Sequence, residues 1–203
     1  MKKIASRENP DYRSLLRAQA GKRAPGERAD HALRIALEGL HLCEEWLASM
    51  GQPELAFVDE SRLDDVEIAA VIAQVDPIRV RLCSSGLMKA ASQVVHGQGL
   101  IFLTNAPQPQ APSRIQENCL WLDRVQDPGN MGTLLRTAAA AGMRQVYAST
   151  GCVAAWSPKV LRSAQGAHFA LAIHENQNLQ QLRNKLDIPL LVTALSGPIL
   201  GEK

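Results

Sequence analysis

The apolar positions of the chain fall into short blocks that alternate between two periods. Runs of four or five mostly apolar residues, such as 55–58, 100–104 and 119–122, have the length and composition of buried strands. Between such runs lie segments such as 40–50, in which apolar residues recur every three to four positions, as they do on one face of a helix. Strands that alternate with helices of this length predict an α/β layered fold.

The first half of the chain is predicted to contain four strands and four helices. The helices are expected over 9–20, 40–50, 64–74 and 84–94, and the strands over 32–37, 55–58, 78–82 and 100–104. Asp64 is a candidate N-cap of the third helix, and Ser84 or Ser85 of the fourth, because their side chains accept hydrogen bonds from free amides.

The second half repeats the alternation. Strands are expected over 119–122, 145–148, 170–173 and 189–194, and helices over 130–141, 158–163 and 179–186. Between the halves, residues 105–113 hold three prolines with Gln and Ala between them. Such a segment is typical of an extended, semi-rigid linker. We therefore expect one domain over 1–105, a linker over 106–113 and a second domain over 114–203.

Composition narrows the class of protein further. Hydrophobic residues make up 46% of the 203 residues and charged residues 21%, which is ordinary for a globular protein. The N-terminus is charged from Lys2 onward and has no apolar core, so no signal peptide is expected and the cytoplasm is the expected location. The four cysteines form no C-x-x-C pair, which predicts buried thiols rather than disulfides or a metal site.

The positive charge is concentrated at the N-terminus. Residues 1–34 hold nine Lys and Arg against four acids, whereas the remaining 169 residues hold thirteen against sixteen. A basic arm on a nearly neutral body favours a polyanionic partner such as RNA, since Lys and Arg displace counterions from phosphates. A solvated helix face explains the charge of the arm equally well.

Two polar clusters carry candidate chemistry. The first follows the strand 119–122, where Asp123 and Arg124 precede an Asp-Pro-Gly turn and a helix that Asn130 is placed to cap. Ligands of open α/β sheets bind beyond the carboxyl ends of the strands, so a site is expected here. The second cluster spans 156–169, where a His before an apolar strand is more often structural than catalytic.

The two clusters together resemble the SpoU (TrmH-type) RNA 2′-O-ribose methyltransferases of the SPOUT superfamily. Residues that match the first motif of the family are Asn130, Gly132, Arg136, Thr137 and Ala138, and residues that match the second are Pro158 to Arg162, Ser163 and Gly166. Segments 4–10, 36–42 and 97–99 also resemble the L30e-like substrate-binding domain of this family. The resemblance therefore covers nearly the whole chain.

The resemblance implies a methyl transfer from S-adenosylmethionine to a ribose 2′-hydroxyl of ribosomal or transfer RNA. It implies Arg136 as the key catalytic residue, with Asn130 holding either Arg136 or the ribose, and Gly166 as a cofactor-binding residue. The residues expected to bind RNA are Arg7, Arg13, Arg17, Lys159, Arg162 and Ser163. Lys159 and Arg162 share a helix face and fit a solvated surface equally well.

The resemblance also implies a Rossmann-like parallel sheet and a homodimer. The family continues with an Asn-Glu-Gly loop and a Ser-Leu-Asn motif in a knotted C-terminal segment, and nothing in 195–203 corresponds to them. We therefore expect this chain to lack the knot segment and part of the cofactor pocket. The alternative is a non-catalytic RNA-binding protein. A domain for another nucleotide cofactor is disfavoured, because no glycine fingerprint is present.

Overall fold

The computed structural model describes residues 1–23, 25–26, 32–95 and 97–193. Part of the basic arm, the last residue of the strand expected over 189–194 and all of 195–203 lie outside the described residues. The described residues fall into an N-terminal part, within 1–105, and a C-terminal part, 114–193, each with its own sheet.

The N-terminal part is built on a five-stranded mixed sheet. Its strand order is β1-β4-β3-β5-β2. The strands are β1 (Lys2–Ile4), β2 (Arg34–Glu38), β3 (Leu55–Asp59), β4 (Val80–Cys83) and β5 (Leu100–Asn105). β4 pairs in parallel with both β1 and β3, whereas β5 runs antiparallel to β2 and β3. The strands β2, β3 and β5 are covered by apolar layers on both faces, which explains their nearly continuous apolar runs.

Helices cover both faces of this sheet. They are α1 (Pro10–Gln19), α2 (Leu40–Met50), α3 (Val66–Ile72) and α4 (Ser85–Ala91). Buried residues of α1 and α4, among them Tyr12 and Leu87, pack with Phe57 on one face. Buried residues of α2 and α3 pack with Phe102 on the other face.

The C-terminal part is built on a parallel sheet. The order of its three described strands is β6 (Cys119–Leu122), β7 (Gln145–Ser149) and β8 (Ala172–Gln177). Its helices are α5 (Pro128–Ala140), α6 (Pro158–Ala164) and α7 (Leu179–Arg183). Both β6–β7 and β7–β8 are parallel pairs, so all carboxyl ends lie at one edge. The α/β class and the parallel sheet expected from the sequence are confirmed.

The two parts share one continuous hydrophobic core. Buried residues of α2, including Trp46, belong to the same cluster as residues of α5 and α6. The rings of Trp46 and Phe169 meet edge to face, with centroids 5.5 Å apart. Because aromatic pairs of this kind bury large apolar areas, the junction between the two parts is a packed interface.

Two helix caps differ from those expected. The N-cap of α3 is Asp65, whose carboxylate accepts from the amides of Glu67 and Ile68, so the assignment to Asp64 is wrong. The N-cap of α5 is Asp127 and not Asn130, because Pro128 is favoured in the first helical position and starts the helix three residues earlier.

The strands also differ from those expected at three places. Residues 77–79 form a 3₁₀ turn capped by Asp76, so β4 begins at Val80 rather than at residue 78. The short strand β1 was not expected, since three residues carry no readable period. Residues 189–193 form no strand, and they pair with none of the described strands.

Candidate functional site

The carboxyl ends of β6 and β7 are joined by a small polar network. The hydroxyl of Ser149 donates to Asp123 Oδ1 at 2.8 Å, and the backbone amide of Arg124 donates to the same hydroxyl at 3.0 Å. Arg124 has a φ of 50°, which a residue with a Cβ rarely adopts. The network therefore fixes the chain where it leaves β6 and turns toward α5.

Helix α5 begins beside this edge, with Asn130 in its first turn and Arg136 six residues further along the helix. The carboxylate of Asp127 accepts from the backbone amide of Asn130 at 2.7 Å, which leaves the amide side chain of Asn130 exposed. Arg136 is also exposed, and its guanidinium has no hydrogen-bond or ion-pair partner among the described residues. Both side chains are thus available to an external ligand.

The structure does not join Asn130 to Arg136. Six residues of α-helix separate them, which corresponds to about 9 Å along the axis and about 120° around it. No hydrogen bond connects the two side chains in the described part of the chain. Both roles expected for Asn130, holding Arg136 and holding the ribose, stay predictions.

Helices α5 and α6 approach each other closely at Gly132. A Cβ on Gly132 would lie 2.1 Å from Ser163 Oγ and 2.8 Å from the backbone nitrogen of Ala164. The hydroxyl of Ser163 donates to the carbonyl of Gly129 at 3.2 Å. Ser163 therefore ties the start of α5 to α6. These contacts fit a packing role, and the RNA contact expected for Ser163 stays a prediction.

Gly166 lies against the N-terminal part. It has a φ of 84°, and a Cβ added to it would lie 3.3 Å from Cγ of Glu45 on α2. The preceding residue, Gln165, has a φ of 51°, and its carbonyl accepts from Nε2 of His41 at 3.2 Å. The expected role of Gly166 in cofactor binding stays a prediction, and its observed neighbours belong to α2.

A cleft of about 220 Å³ opens at this junction. Residues of both parts line it, and they are Glu38, Gly39, His41, Leu42, Val94, Gln98, Arg162 and Gln165. Arg162 is half-buried, and its guanidinium has no partner among the residues described. The sequence marked segments 36–42 and 97–99 only by resemblance, so His41 and Gln98 were missed as functional candidates.

The basic residues of α1 adjoin the start of α6. Arg7 and Arg13 are exposed and Arg17 is half-buried. Arg13 lies 3.7 Å from the carboxylate of Glu8. After α1 ends, a Cβ on Gly21 would lie 3.8 Å from Cδ of Pro158, which precedes the exposed Lys159. The fold therefore brings two separately predicted cationic groups onto neighbouring elements.

The described residues show neither a metal-binding cluster nor a membrane-spanning helix. Within the described ranges, no group of three or more His, Cys, Asp or Glu side chains is placed to hold a metal ion. None of the helices described here has the length and apolarity needed to span a bilayer. The four cysteines are free thiols, and Cys43 and Cys83 are buried.

Fold and site together define an α/β protein whose exposed polar side chains lie beside the carboxyl edge of a parallel sheet. Residues 117–199 match the family model of the SpoU rRNA Methylase family. A crystal structure of an RNA 2′-O ribose methyltransferase is 30% identical and superposes with a TM-score of 0.65, over 89% of this chain and 68% of that one. The chain belongs to the SpoU rRNA methylase family.

Two further proteins are similar to this chain. Mitochondrial rRNA methyltransferase 3A from Danio rerio is 36% identical over 167 residues, which are 78% of this chain and 38% of the relative. The chain thus spans less than two fifths of that protein. The AdoMet-bound rRNA methyltransferase from Sinorhizobium meliloti is 21% identical with a TM-score of 0.69, over 90% of this chain and 67% of that one, and shows the fold.

Proposed function

We propose that this protein transfers a methyl group from S-adenosylmethionine to a ribose 2′-hydroxyl of ribosomal RNA. The observation that carries the proposal is α5, which begins at the carboxyl edge of the parallel sheet and presents two exposed side chains, Asn130 and Arg136. The guanidinium of Arg136 has no partner among the described residues. These residues stand in the family's first motif, in a chain that belongs to a family named for rRNA methylation.

Arg136 is proposed to act on the RNA as a cation and not as a base. A guanidinium keeps its proton near neutral pH, so it does not accept the proton of the hydroxyl. It binds a phosphate through two parallel N–H groups and stabilises the negative charge that develops on the 2′-oxygen as the proton leaves. Asn130 is proposed to orient the ribose through its exposed amide.

S-adenosylmethionine supplies the methyl group in the proposed reaction. On the side where a Cβ of Gly166 would point, its neighbours are Glu45 and His41 of α2 rather than space for a cofactor. The fit between the described residues and this donor is therefore incomplete, and the roles proposed here concern the RNA alone.

The N-terminal part is proposed to be an L30e-like substrate-binding domain over residues 1–105. The 106–113 segment would link it to a methyltransferase domain over 114–203. The separate sheets of the two parts support this division. Two exposed arginines, Arg7 just before α1 and Arg13 on α1, support RNA binding by the first domain.

Unpaired or looped RNA is the proposed target. A ribose hydroxyl and base within a rigid helix are hard to bring into a protein site, whereas single strands splay their bases outward. A homodimer and a cytoplasmic location, both expected by resemblance or from the N-terminal sequence, stay predictions.

The proposal is tested with Arg136→Ala. Purified protein is incubated with ribosomal RNA and S-adenosylmethionine carrying a labelled methyl group, and the modified nucleosides are identified by mass spectrometry. Loss of an oxyanion-stabilising donor costs about 100- to 1000-fold in rate, so transfer by the variant should fall by at least about 100-fold. RNA affinity, measured by filter binding, should change little, because many cations share the backbone contacts.

Arg144→Ala is the matched control. Arg144 is exposed and directly precedes β7, so it lies at the opposite edge of the same sheet. Its removal should leave transfer unchanged. Transfer by Arg136→Ala at the unmodified rate would refute the catalytic role of Arg136. Binding of ribosomal RNA without any transfer by the unmodified protein would instead support the non-catalytic alternative.

A further inference from the structure

The cleft between the two parts of the molecule combines cationic, polar and apolar side chains that neither part provides alone. We propose that this cleft holds one unpaired nucleotide of the RNA, separate from the nucleotide that is methylated. Arg136 is not one of its lining residues, which places the cleft outside the proposed catalytic position. The inference rests on the proposed function, because it assumes an RNA substrate.

The cleft contains one guanidinium that can bind a phosphate. Arg162 contributes a guanidinium that has no partner in the described structure. Glu38 is the acid that lines the same cleft, but its carboxylate accepts from the hydroxyl of Ser92, from the amide of Gln93 and from Nε2 of Gln19. Because these donors occupy both carboxylate oxygens, Arg162 keeps its capacity to bind a phosphate.

Two side chains offer hydrogen-bonding edges to a base. Gln98 is held by its Oε1, which accepts from the amide of Leu40 at 2.9 Å, so its amino group stays free to donate. His41 uses Nε2 toward the carbonyl of Gln165. A carbonyl only accepts, so Nε2 of His41 carries a proton and donates to it. Gln98 and His41 both line the cleft, and their remaining polar atoms can meet the edge of a nucleobase.

The size and the apolar lining of the cleft fit a single base. Leu42 and Val94 provide apolar surface, and the volume of about 220 Å³ is below the range of about 300 to 1000 Å³ typical of sites for larger ligands. Proteins that read unpaired RNA hold extruded bases between apolar surface and such polar edges. The cleft therefore favours one nucleotide over a longer stretch of the backbone.

The test uses the affinity of the whole chain for a short single-stranded RNA of mixed sequence, measured by fluorescence anisotropy at several salt concentrations. Val94→Trp fills the cleft without changing charge, and at 38% exposure Val94 tolerates a larger side chain. We expect about tenfold weaker binding with an unchanged salt slope. Arg162→Gln should weaken binding about tenfold and reduce the slope by about 0.7, the value for one lost phosphate contact on a single strand.

Matched controls separate the cleft from its surroundings. Val95→Trp adds the same side chain one residue further along, where Val95 is 90% exposed and lines a neighbouring cleft instead. Arg183→Gln removes an exposed cation on α7. Both controls should bind within twofold of the unmodified protein. Circular dichroism establishes that every variant is folded before its affinity is compared.

The outcomes distinguish the two proposals. If the unmodified protein binds and methylates RNA while Val94→Trp and Arg162→Gln bind as it does, the cleft is not a nucleotide site and the proposed function stands. If the unmodified protein binds no RNA, both fail together. Cross-linking of 4-thiouridine RNA supplies a second readout, and the expected cross-linked peptides contain His41, Gln98 or Arg162.

Discussion

His168 is a buried imidazole whose surroundings set its protonation state. Its Nε2 lies 2.7 Å from the carbonyl of Ala155, and its Nδ1 is buried without a hydrogen-bond partner. Burial lowers the pKa of His168 from 6.5 to about 4, although the contact with Ala155 opposes the shift. The ring is therefore neutral in the folded protein near neutral pH, and it acts as a packing residue, as its place before an apolar strand suggested.

The depressed pKa predicts a pH dependence of stability. Between about pH 6.5 and pH 4 the unfolded chain binds a proton at His168 and the folded chain does not. The free energy of unfolding should therefore fall as the pH falls, by up to about 1.4 kcal/mol per pH unit from this group. Urea unfolding across this range should show a shallower pH slope for His168→Gln than for the unmodified protein. Equal slopes would mean that His168 titrates normally in the folded state.

The residue types of the candidate site could be read from the sequence, but their partners could not. The motif that includes Asn130 and Arg136 predicted two available polar side chains, and both are exposed. The same pattern assigned the helix cap to Asn130, because it gave no weight to the Asp-Pro pair at 127–128. A carboxylate before a proline begins the helix earlier, and the side chain of Asn130 is left free as a result.

At the scale of elements, the contact of α5 with α6 depends on the absence of a side chain at Gly132. Ala is normally preferred to Gly inside a helix by about 0.5 to 1 kcal/mol. At Gly132 a methyl group would overlap Ser163 and the backbone of Ala164, so the sign of the effect should reverse.

Gly132→Ala should therefore lower the free energy of unfolding by about 1 to 3 kcal/mol, the usual cost of overpacking. Gly86→Ala is the matched control, because Gly86 lies in α4 and the nearest atom to an added Cβ there is Ser84 Oγ at 4.0 Å. That variant should be stabilised by about 0.5 kcal/mol. Thermal unfolding measures both changes, and a stabilised Gly132→Ala would show that α5 and α6 pack less closely than described.

The hydrophobic period alone predicts most helices and strands. The segment 189–194 and the strand β1 are exceptions, and in both cases the pairing with another strand decides the outcome. The strand expected over 189–194 has strong strand propensity, but residues 189–193 are irregular because a strand also requires a neighbour to pair with. Conversely, β1 has only three residues and little propensity, yet β4 offers it a parallel edge. Pairing partners lie far away in the sequence, so periodicity cannot decide these two cases.

At the scale of the whole molecule, the junction determines whether the chain unfolds as one unit. Trp46 and Phe169 come from different parts, and both belong to the core that runs across the junction. The prolines at 107–112 predicted a semi-rigid linker between two domains, and the shared core predicts that these domains unfold cooperatively. That interface joins residues more than 120 positions apart and has no local signature in the sequence.

Calorimetry of the unmodified protein should therefore show a single unfolding transition. Phe169→Ala should lower the free energy of unfolding by about 3 kcal/mol and split the transition, because it removes the ring that joins the two parts. Phe57→Ala removes an equal ring from the N-terminal sheet away from the junction, and it should lower the midpoint without splitting. Two transitions in the unmodified protein would contradict the coupling.

The packing of Gly166 and Gln165 against α2 has a consequence for protein engineering. Because His41 and Glu45 contact the segment that holds the second family motif, the two parts are not interchangeable modules. A chimera that grafts this N-terminal part onto the catalytic part of another relative would retain both sheets but misalign that motif. Exchange of target specificity between relatives would therefore require α2 and the 162–166 segment to be transplanted together.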